Sequence, residues 1–551
     1  MIDDGSWGIG AAGEAAALPT PEAYGLRGMV ASAHPTAAQI GVSILQRGGT
    51  AIDAAIAVAA AEGVLLPMMC GLGGDAFVLV HDARRGETLA YSGSGVAAAG
   101  VSADYYRQRG FQKMPLEGVH SISVPGAVAV YEAIWKRHGS LPWADLWQPA
   151  IDLAQNGVAI TAHTNRRIAD REEALGRYEH SRAQYLVDGR APATGSRWRA
   201  PNLARSLGIV AAGGADAFYR GEIAQRIVGF LNAEGAPFAL EDFTRQQATV
   251  SAPLQTSYRG LTVCQTTLMS QGFMMLEQLN LLDGFNLEDL DALGTDRVHL
   301  TIEAKKLAFE DRNRHARDPF FGDWPLDRLI SRAYADEIRG SIDLQHAREP
   351  RTLVAEHSGD TSYFTVADGQ GNAVSFIHSL SASFGSAVVA GDSGIALNNR
   401  AGRGFSLVEG HPNEIAPGKR TVHTLNAYMV LRDGKPWLVG GTPGGDQQTQ
   451  WNVQCLGNVV DHGMTLQQAI DAPRWYSFPG TDPANAGLPP VVRIERRMPP
   501  ETVRGLAERG HTVEPLGAWS GGGSVQMIEL GQDGVLRGGS DPRAGGVALG
   551  W

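Results

Sequence analysis

The sequence predicts an α+β fold, with helices and strands segregated along the chain. Two observations carry this. From about residue 120 to 350 apolar residues recur at helical spacing, most clearly in TDRVHLTIEAKKLAFEDRNRHARD (295–318). From 361 onward alternating runs and Gly-rich turns take over, as in TSYFTVAD, NAVSFIHS and NAYMVLRDGKPWLVGG. The change near 361 marks either a domain boundary or a processing boundary inside one domain.

Taken in order, residues 1 to about 25 read as a loose leader. HPTAAQIGVSILQRGG (34–49) reads as a helix stopped by Gly48 and Gly49. A second, Ala-rich helix starts near Ala51. The longest apolar stretch, Ala54 to Cys70, contains Glu62 and Pro67 and is too short for a membrane span, so it is a core helix running into a loop. MMCGLGGDAFVLVHD (68–82) is a Gly-rich turn feeding an apolar strand. The long helix after 295 closes where Asp318 meets Pro319. TSYFTVAD and NAVSFIHS flank a four-residue loop, Asp368 to Gly371, which makes a hairpin pairing residue 367 with 372. That count sets Thr361 near His378, within about one residue. PWLVG, GGTPGGDQQTQ (440–450) and the pattern after it read as strand, turn and helix.

A chain of 551 residues with 43% hydrophobic and 19% charged residues is globular and large enough for an extensive core. The net charge is −11 and no basic cluster stands out, which argues against a nucleic-acid partner. Cys70, Cys264 and Cys455 are the only cysteines and show no CxxC spacing, so neither a disulfide framework nor a zinc ribbon is supported. The acidic N-terminus lacks a basic start and a continuous apolar core, so no signal peptide and no membrane partner are read. The expected location is the cytoplasm.

Several short motifs reduce to turns. GDSG (391–394) stands without the rest of a serine-protease motif set, and GLGG (71–74) is a lone glycine cluster. GxSxG and HExxH are absent, and the 15 histidines show no ligand spacing. Thr361 differs. Were it a chain terminus, its hydroxyl would sit beside its own α-amine, a base with an ordinary pKa of about 7.7–8.0. Gly359 and Asp360 put little bulk ahead of that bond, and the hairpin brings Ser379 and Ser381 close to Thr361. Taken alone, TSYF is an ordinary strand start. The glycines of GGTPGGD can point backbone N–H groups into a cavity, as an oxyanion hole does; taken alone, they are an ordinary strand-to-helix turn.

These two elements, in this order, resemble the γ-glutamyltransferase family. Matching stretches include GGTAIDAAIA (48–57), GLGGDAFVLV (71–80), SVPGAVA (123–129), IEAKKLAFEDR (302–312), FGSAVVAGDSGIALNN (384–399), PGKRTVHTLNAYMV (417–430), TPGGD (442–446) and SDPRAGG (540–546). The resemblance runs from about residue 27 to the end. It implies an N-terminal-nucleophile hydrolase with a four-layer αββα sandwich. The precursor would cut itself between Asp360 and Thr361 into a large subunit, 1–360, and a small one, 361–551, intertwined in one domain. It also implies Thr361 as nucleophile and base, Ser379 as a supporting hydroxyl, and Gly444 and Gly445 as oxyanion donors. The oligomeric state stays open, with a dimer of heterodimers as one candidate, and no metal or organic cofactor is implied.

The departures bear on substrate. The family's carboxylate-binding arginine aligns with Ser94, and its ammonium-binding acid with Arg403. Arg400 stands where the family often has Gln. His423 and Thr424 replace two serines, and Ser381 replaces an Asn. An ammonium facing an arginine is repelled, so Arg400 and Arg403 suit an anion without an amine, unless both lie in a solvent-facing loop. The expected reaction is hydrolysis of a small carboxylate-bearing amide, with oxamate to oxalate and ammonia first. An arginine or His423 would hold the carboxylate. A γ-glutamyl hydrolase or transferase and a glutaryl-type acylase are the alternatives, and an uncleaved binding protein is the reading outside enzymology.

Overall fold

The computed structural model describes residues 20–349, 361–478, 480 and 490–551. The expected cleavage residue Asp360 lies outside them.

Two seven-stranded antiparallel sheets face each other. The first runs Val547–Gly550, Gly28–Ser32, Ser362–Asp368, Ala373–Ser379, Asp75–Asp82, Glu87–Gly93 and Thr249–Ser251. The second runs Ala23–Gly25, Leu536–Ser540, Gln526–Leu530, Lys435–Gly441, Tyr428–Arg432, Leu261–Gln265 and Leu254–Tyr258. Strands from both ends of the chain alternate in each sheet, so residues before 350 and after 360 are interleaved. Helices cover the outer faces, giving the αββα sandwich of an α+β fold. The first sheet packs on helices Pro35–Gln46, Ala51–Leu65 and Ala127–His138, the second on Phe273–Leu282, Gln447–Val460 and Leu466–Asp471.

Alternation explains why the strands are buried on both faces. Phe364, Val366, Val374 and Phe376 enter the core shared with the helices. Tyr363 and Ile377 enter a cluster with Phe77, Leu425 and Ala427 between the sheets. Helix Ala51–Leu65 is buried on every side, wedged between the first sheet and helix Trp143–Asn156, which is why its sequence is apolar all round. A capping box between Thr50 and Asp53 starts it. Five short strands lie before residue 266 within the stretch read as mainly helical, of which Leu254–Tyr258 and Leu261–Gln265 complete the second sheet.

The hairpin register differs by one residue from the sequence count. Ala367 pairs with Ala373, and Ser362 with His378. The loop is Gly369 to Gly371, a turn closed by the Gly371 N–H on the Asp368 carbonyl, with Gly371 left-handed at φ +89°. This is a type I turn followed by a glycine bulge, a common three-residue hairpin. It absorbs one residue and moves Thr361 opposite Ser379. Gly371→Ala should therefore cost about 1 kcal/mol or more, while Gly371→Asn costs less, because alanine resists positive φ and asparagine tolerates it. Urea midpoints of the two variants measure this, and equal midpoints would contradict it.

Candidate active site

Thr361 lies at the head of a row of polar residues. Its cross-strand neighbour is Ser379, which pairs with Asp75; Ala76 pairs with Gly93, so the next position beside Asp75 is Ser94. Cross-strand partners share a face at about 4.5–5.5 Å between Cβ atoms. Thr361, Ser379, Asp75 and Ser94 therefore form a line across four strands on the face turned to the second sheet. Thr361 is buried, and its hydroxyl donates to Ser379 Oγ at 3.1 Å. The Ser381 N–H donates to the same oxygen at 2.7 Å. Ser381 has φ +88°, and its buried hydroxyl has no hydrogen-bond partner among the described residues. Strain and an unsatisfied polar atom together make Ser381 a candidate site residue.

Beside Asp75 the substrate-side residues gather. Arg400, 3% exposed, brings Nε within 3.6 Å of Asp75 Oδ2, and His423 Nδ1 lies 3.9 Å from the same oxygen. Ser94 Oγ and His423 Nε2 are hydrogen-bonded at 2.7 Å. Burial, then Arg400, holds the His423 imidazole well below its ordinary pKa, so it is neutral. It can offer a hydrogen bond but no charge to a carboxylate. Arg403 is half-buried and donates to the Ser381 carbonyl at 3.0 Å. Thr424 is half-buried and its carbonyl accepts from Asn426. The arginines do not form a solvent-facing loop. Nor does the pocket lack an acid, as expected from the sequence, because Asp75 faces Arg400 from a distant strand. GLGGD contained it, but only strand pairing sets it beside residue 400.

The glycine pair closes the site from the second sheet. Gly441 abuts the Tyr363 ring, and the chain then turns through Gly444 (φ +135°) and Gly445 (φ +58°) into helix Gln447–Val460. A Cβ on Gly444 would overlap the Trp451 ring. The carbonyls of both glycines accept from Gln447 and Gln448. Among the described residues neither glycine N–H is taken by a hydrogen bond. They are thus available donors, as an oxyanion site needs.

On the opposite face of the same strands lies a second network that sequence reading missed. Glu62 accepts from Ser32 Oγ and Ser362 Oγ, both at 2.7 Å, and meets His378 Nε2 at 2.8 Å. His378 Nδ1 reaches the Tyr131 hydroxyl at 3.0 Å. Ser362 and His378 are the residues next to Thr361 and Ser379, so the carboxylate ties both strand ends to helix Ala51–Leu65. The one available signal was a lone acid inside an apolar helix, which asks for a buried partner. Glu62, Cys70 and His378 also satisfy metal-ligand proximity, as do His299, Glu303 and His511. Protein groups already occupy both: Glu62 has the three partners above, and the Lys306 ammonium sits 2.7 Å from Glu303, where it repels a cation.

Removing the Glu62 carboxylate leaves several buried groups unsatisfied. Glu62→Ala, made on a Thr361→Ala background to separate folding from processing, should lower stability by about 3 kcal/mol or more in urea unfolding. An unchanged midpoint would show that the network anchors nothing.

Residues 37–551 match the family model Gamma-glutamyltranspeptidase. The chain is 40% identical over 529 residues to the glutathione hydrolase-like YwrD proenzyme of Bacillus subtilis, covering 96% of this chain and 99% of that one. It is 35% identical over 532 residues to the oxamate amidohydrolase proenzyme of Klebsiella pneumoniae, covering 95% and 98%. Among solved structures, a cephalosporin acylase from Bacillus halodurans superposes with a TM-score of 0.89 at 34% identity, covering 98% of this chain and 99% of that one. The chain therefore belongs to the gamma-glutamyltranspeptidase family.

Proposed function

We propose that the protein is an amidohydrolase made as a self-cleaving proenzyme, acting on a small amide whose acyl group carries a carboxylate. The observation that carries this reading is the Thr361 hydroxyl at 3.1 Å from Ser379, at the head of a buried row that ends beside Arg400. In the precursor the Thr361 hydroxyl attacks the carbonyl of Asp360. The peptide becomes an ester, and water releases the large subunit, 1–360, from the small one, 361–551. The freed α-amine of Thr361 then takes the proton of its own hydroxyl. Interleaving of the two segments in both sheets supports one intertwined unit after cleavage.

In turnover Thr361 Oγ attacks the amide carbon. Charge grows on the carbonyl oxygen, and the N–H groups of Gly444 and Gly445 stabilise it. The tetrahedral adduct collapses, the amine leaves with a proton from the Thr361 ammonium, and water hydrolyses the acyl-threonine ester. Ser379 orients the hydroxyl. Arg400 holds the acyl carboxylate, with Ser381, His423 and Thr424 around it and Arg403 bracing the Ser381 carbonyl. Oxamate is the first substrate, giving oxalate and ammonia. Buried Arg400 supports it, as does the likeness to a relative named for that reaction. A second reading, a γ-glutamyl hydrolase or transferase, is favoured by Asp75, which offers an ammonium a carboxylate.

Intact mass, N-terminal sequencing and an ammonia assay test the reading. The wild type should yield two chains, the smaller beginning Thr-Ser-Tyr-Phe, and release ammonia from oxamate. Thr361→Ala should remain one chain near 58.6 kDa and release none. Release of p-nitroaniline from a γ-glutamyl anilide without ammonia from oxamate would move the assignment to the second reading. Arg400→Gln should raise KM for the anionic amide at least about tenfold with a smaller change in kcat, as loss of ground-state binding does.

A further inference from the structure

Gln271 joins two parts of the candidate site that lie far apart in the chain. It is fully buried, in the segment ahead of helix Phe273–Leu282. Its backbone is tied on both sides. The N–H donates to the His423 carbonyl at 2.9 Å, and the carbonyl accepts the Met274 N–H at 3.0 Å. The His423 N–H donates to the Met269 carbonyl at 2.8 Å, and Ser270 forms a bridge with His423. From that fixed backbone the carboxamide reaches the glycine turn, where Nε2 donates to the Gly445 carbonyl at 3.4 Å. A carbonyl only accepts, so the carboxamide nitrogen is the atom that faces it. The same carbonyl accepts the Gln448 N–H at 3.3 Å. Both contacts are long, as hydrogen bonds in catalytic sites often are before substrate binds. Gln271 Oε1 is buried and has no hydrogen-bond partner among the described residues. An unpaired buried amide oxygen costs about 1–3 kcal/mol. Methionine or leucine would fill similar space without that cost, so packing alone does not account for a glutamine here.

We propose that Gln271 is a positioning residue for the oxyanion turn. Its carboxamide holds Gly445 in place, so that the N–H groups of Gly444 and Gly445 stay directed at the reacting carbonyl. This rests on the reading that those two N–H groups stabilise the oxyanion. Both glycines have positive φ and no side chain to pack, so the turn has little of its own to hold it. The Gln447 and Gln448 N–H groups brace it from the helix that follows. Gln271 braces it from a segment that precedes the cleavage bond. In the cleaved protein the large subunit thereby supports an oxyanion site built by the small one, without itself touching substrate. Preorganised donors lose effect when displaced, which gives the brace its value.

Gln271→Met and Gln271→Glu in the purified full-length protein test this. The substrate is whichever of oxamate or a γ-glutamyl anilide the wild type turns over. Gln271→Met keeps the length and loses the donor. Its kcat should fall at least about tenfold with KM within about twofold, because the lost interaction acts in the transition state. Gln271→Glu donates only while its carboxyl is protonated, a state that burial favours. Its kcat relative to wild type should rise at least about fivefold from pH 9 to pH 6, while the Gln271→Met ratio stays flat. Rates are expressed per folded chain, counted by near-ultraviolet circular dichroism at each pH. An unchanged kcat in Gln271→Met, a raised KM alone, or a flat Gln271→Glu ratio would overturn the proposal. If Gln271→Met does not fold, the Gln271→Glu ratio decides. Turnover of neither substrate by the wild type removes the amidohydrolase reading and Gln271 with it. Wild-type turnover with unaltered variants removes Gln271 alone.

Discussion

The pairing of strands Ser362–Asp368 and Ala373–Ser379 in the middle of the first sheet is the constraint on which the rest depends. Both strands are buried on both faces, so their register admits no slip: one residue of shift would send every side chain to the wrong layer. The glycine bulge at Gly371 sets that register, and the register sets Thr361 against Ser379. Each further polar contact of the candidate site follows by lateral extension, through Asp75 on one neighbouring strand and Ser94 on the next. Thr361 is held by the sheet that forms the core, and not by a surface loop.

Because strand side chains alternate, the same two strands serve two polar networks. Thr361 and Ser379 face the second sheet, in the row that leads through Asp75 to Arg400. Ser362 and His378 face the helices, where Glu62 collects three groups into one buried cluster. Burying polar groups in a sandwich this apolar is costly unless they are paired. The helix-side network is fully paired, and it anchors. The Thr361 side is not: among the described residues, Asp75, His423 and Ser381 each leave an atom without a hydrogen-bond partner. That asymmetry is what separates structural polarity from polarity held ready for a ligand.

Charge in the pocket follows the same logic. The sequence neighbourhood NNRAGRGF supplies no acid to buried Arg400. Asp75 brings a carboxylate to it from more than three hundred residues earlier in the chain. Ser94 carries no charge and is hydrogen-bonded to the His423 ring at 2.7 Å. Asp75, Arg400 and His423 thus meet from three parts of the chain.

Local pattern was enough for much of this. Helix periodicity, the alternating hairpin strands, the strand–turn–helix at GGTPGGD and the threonine with little bulk before it were legible because each is encoded within about twenty residues. The family motifs extended that to the fold class. What the sequence could not reveal was anything set by distance between distant segments. The one-residue register shift came from a left-handed glycine, which pattern counting does not see. Asp75 looked like part of a glycine turn, and Glu62 like an oddity in an apolar helix. The sequence by itself determined which residues could do chemistry and which elements carry them. Only the tertiary structure decided which of those residues meet, because burial and charge balance arise between strands that pair across hundreds of residues.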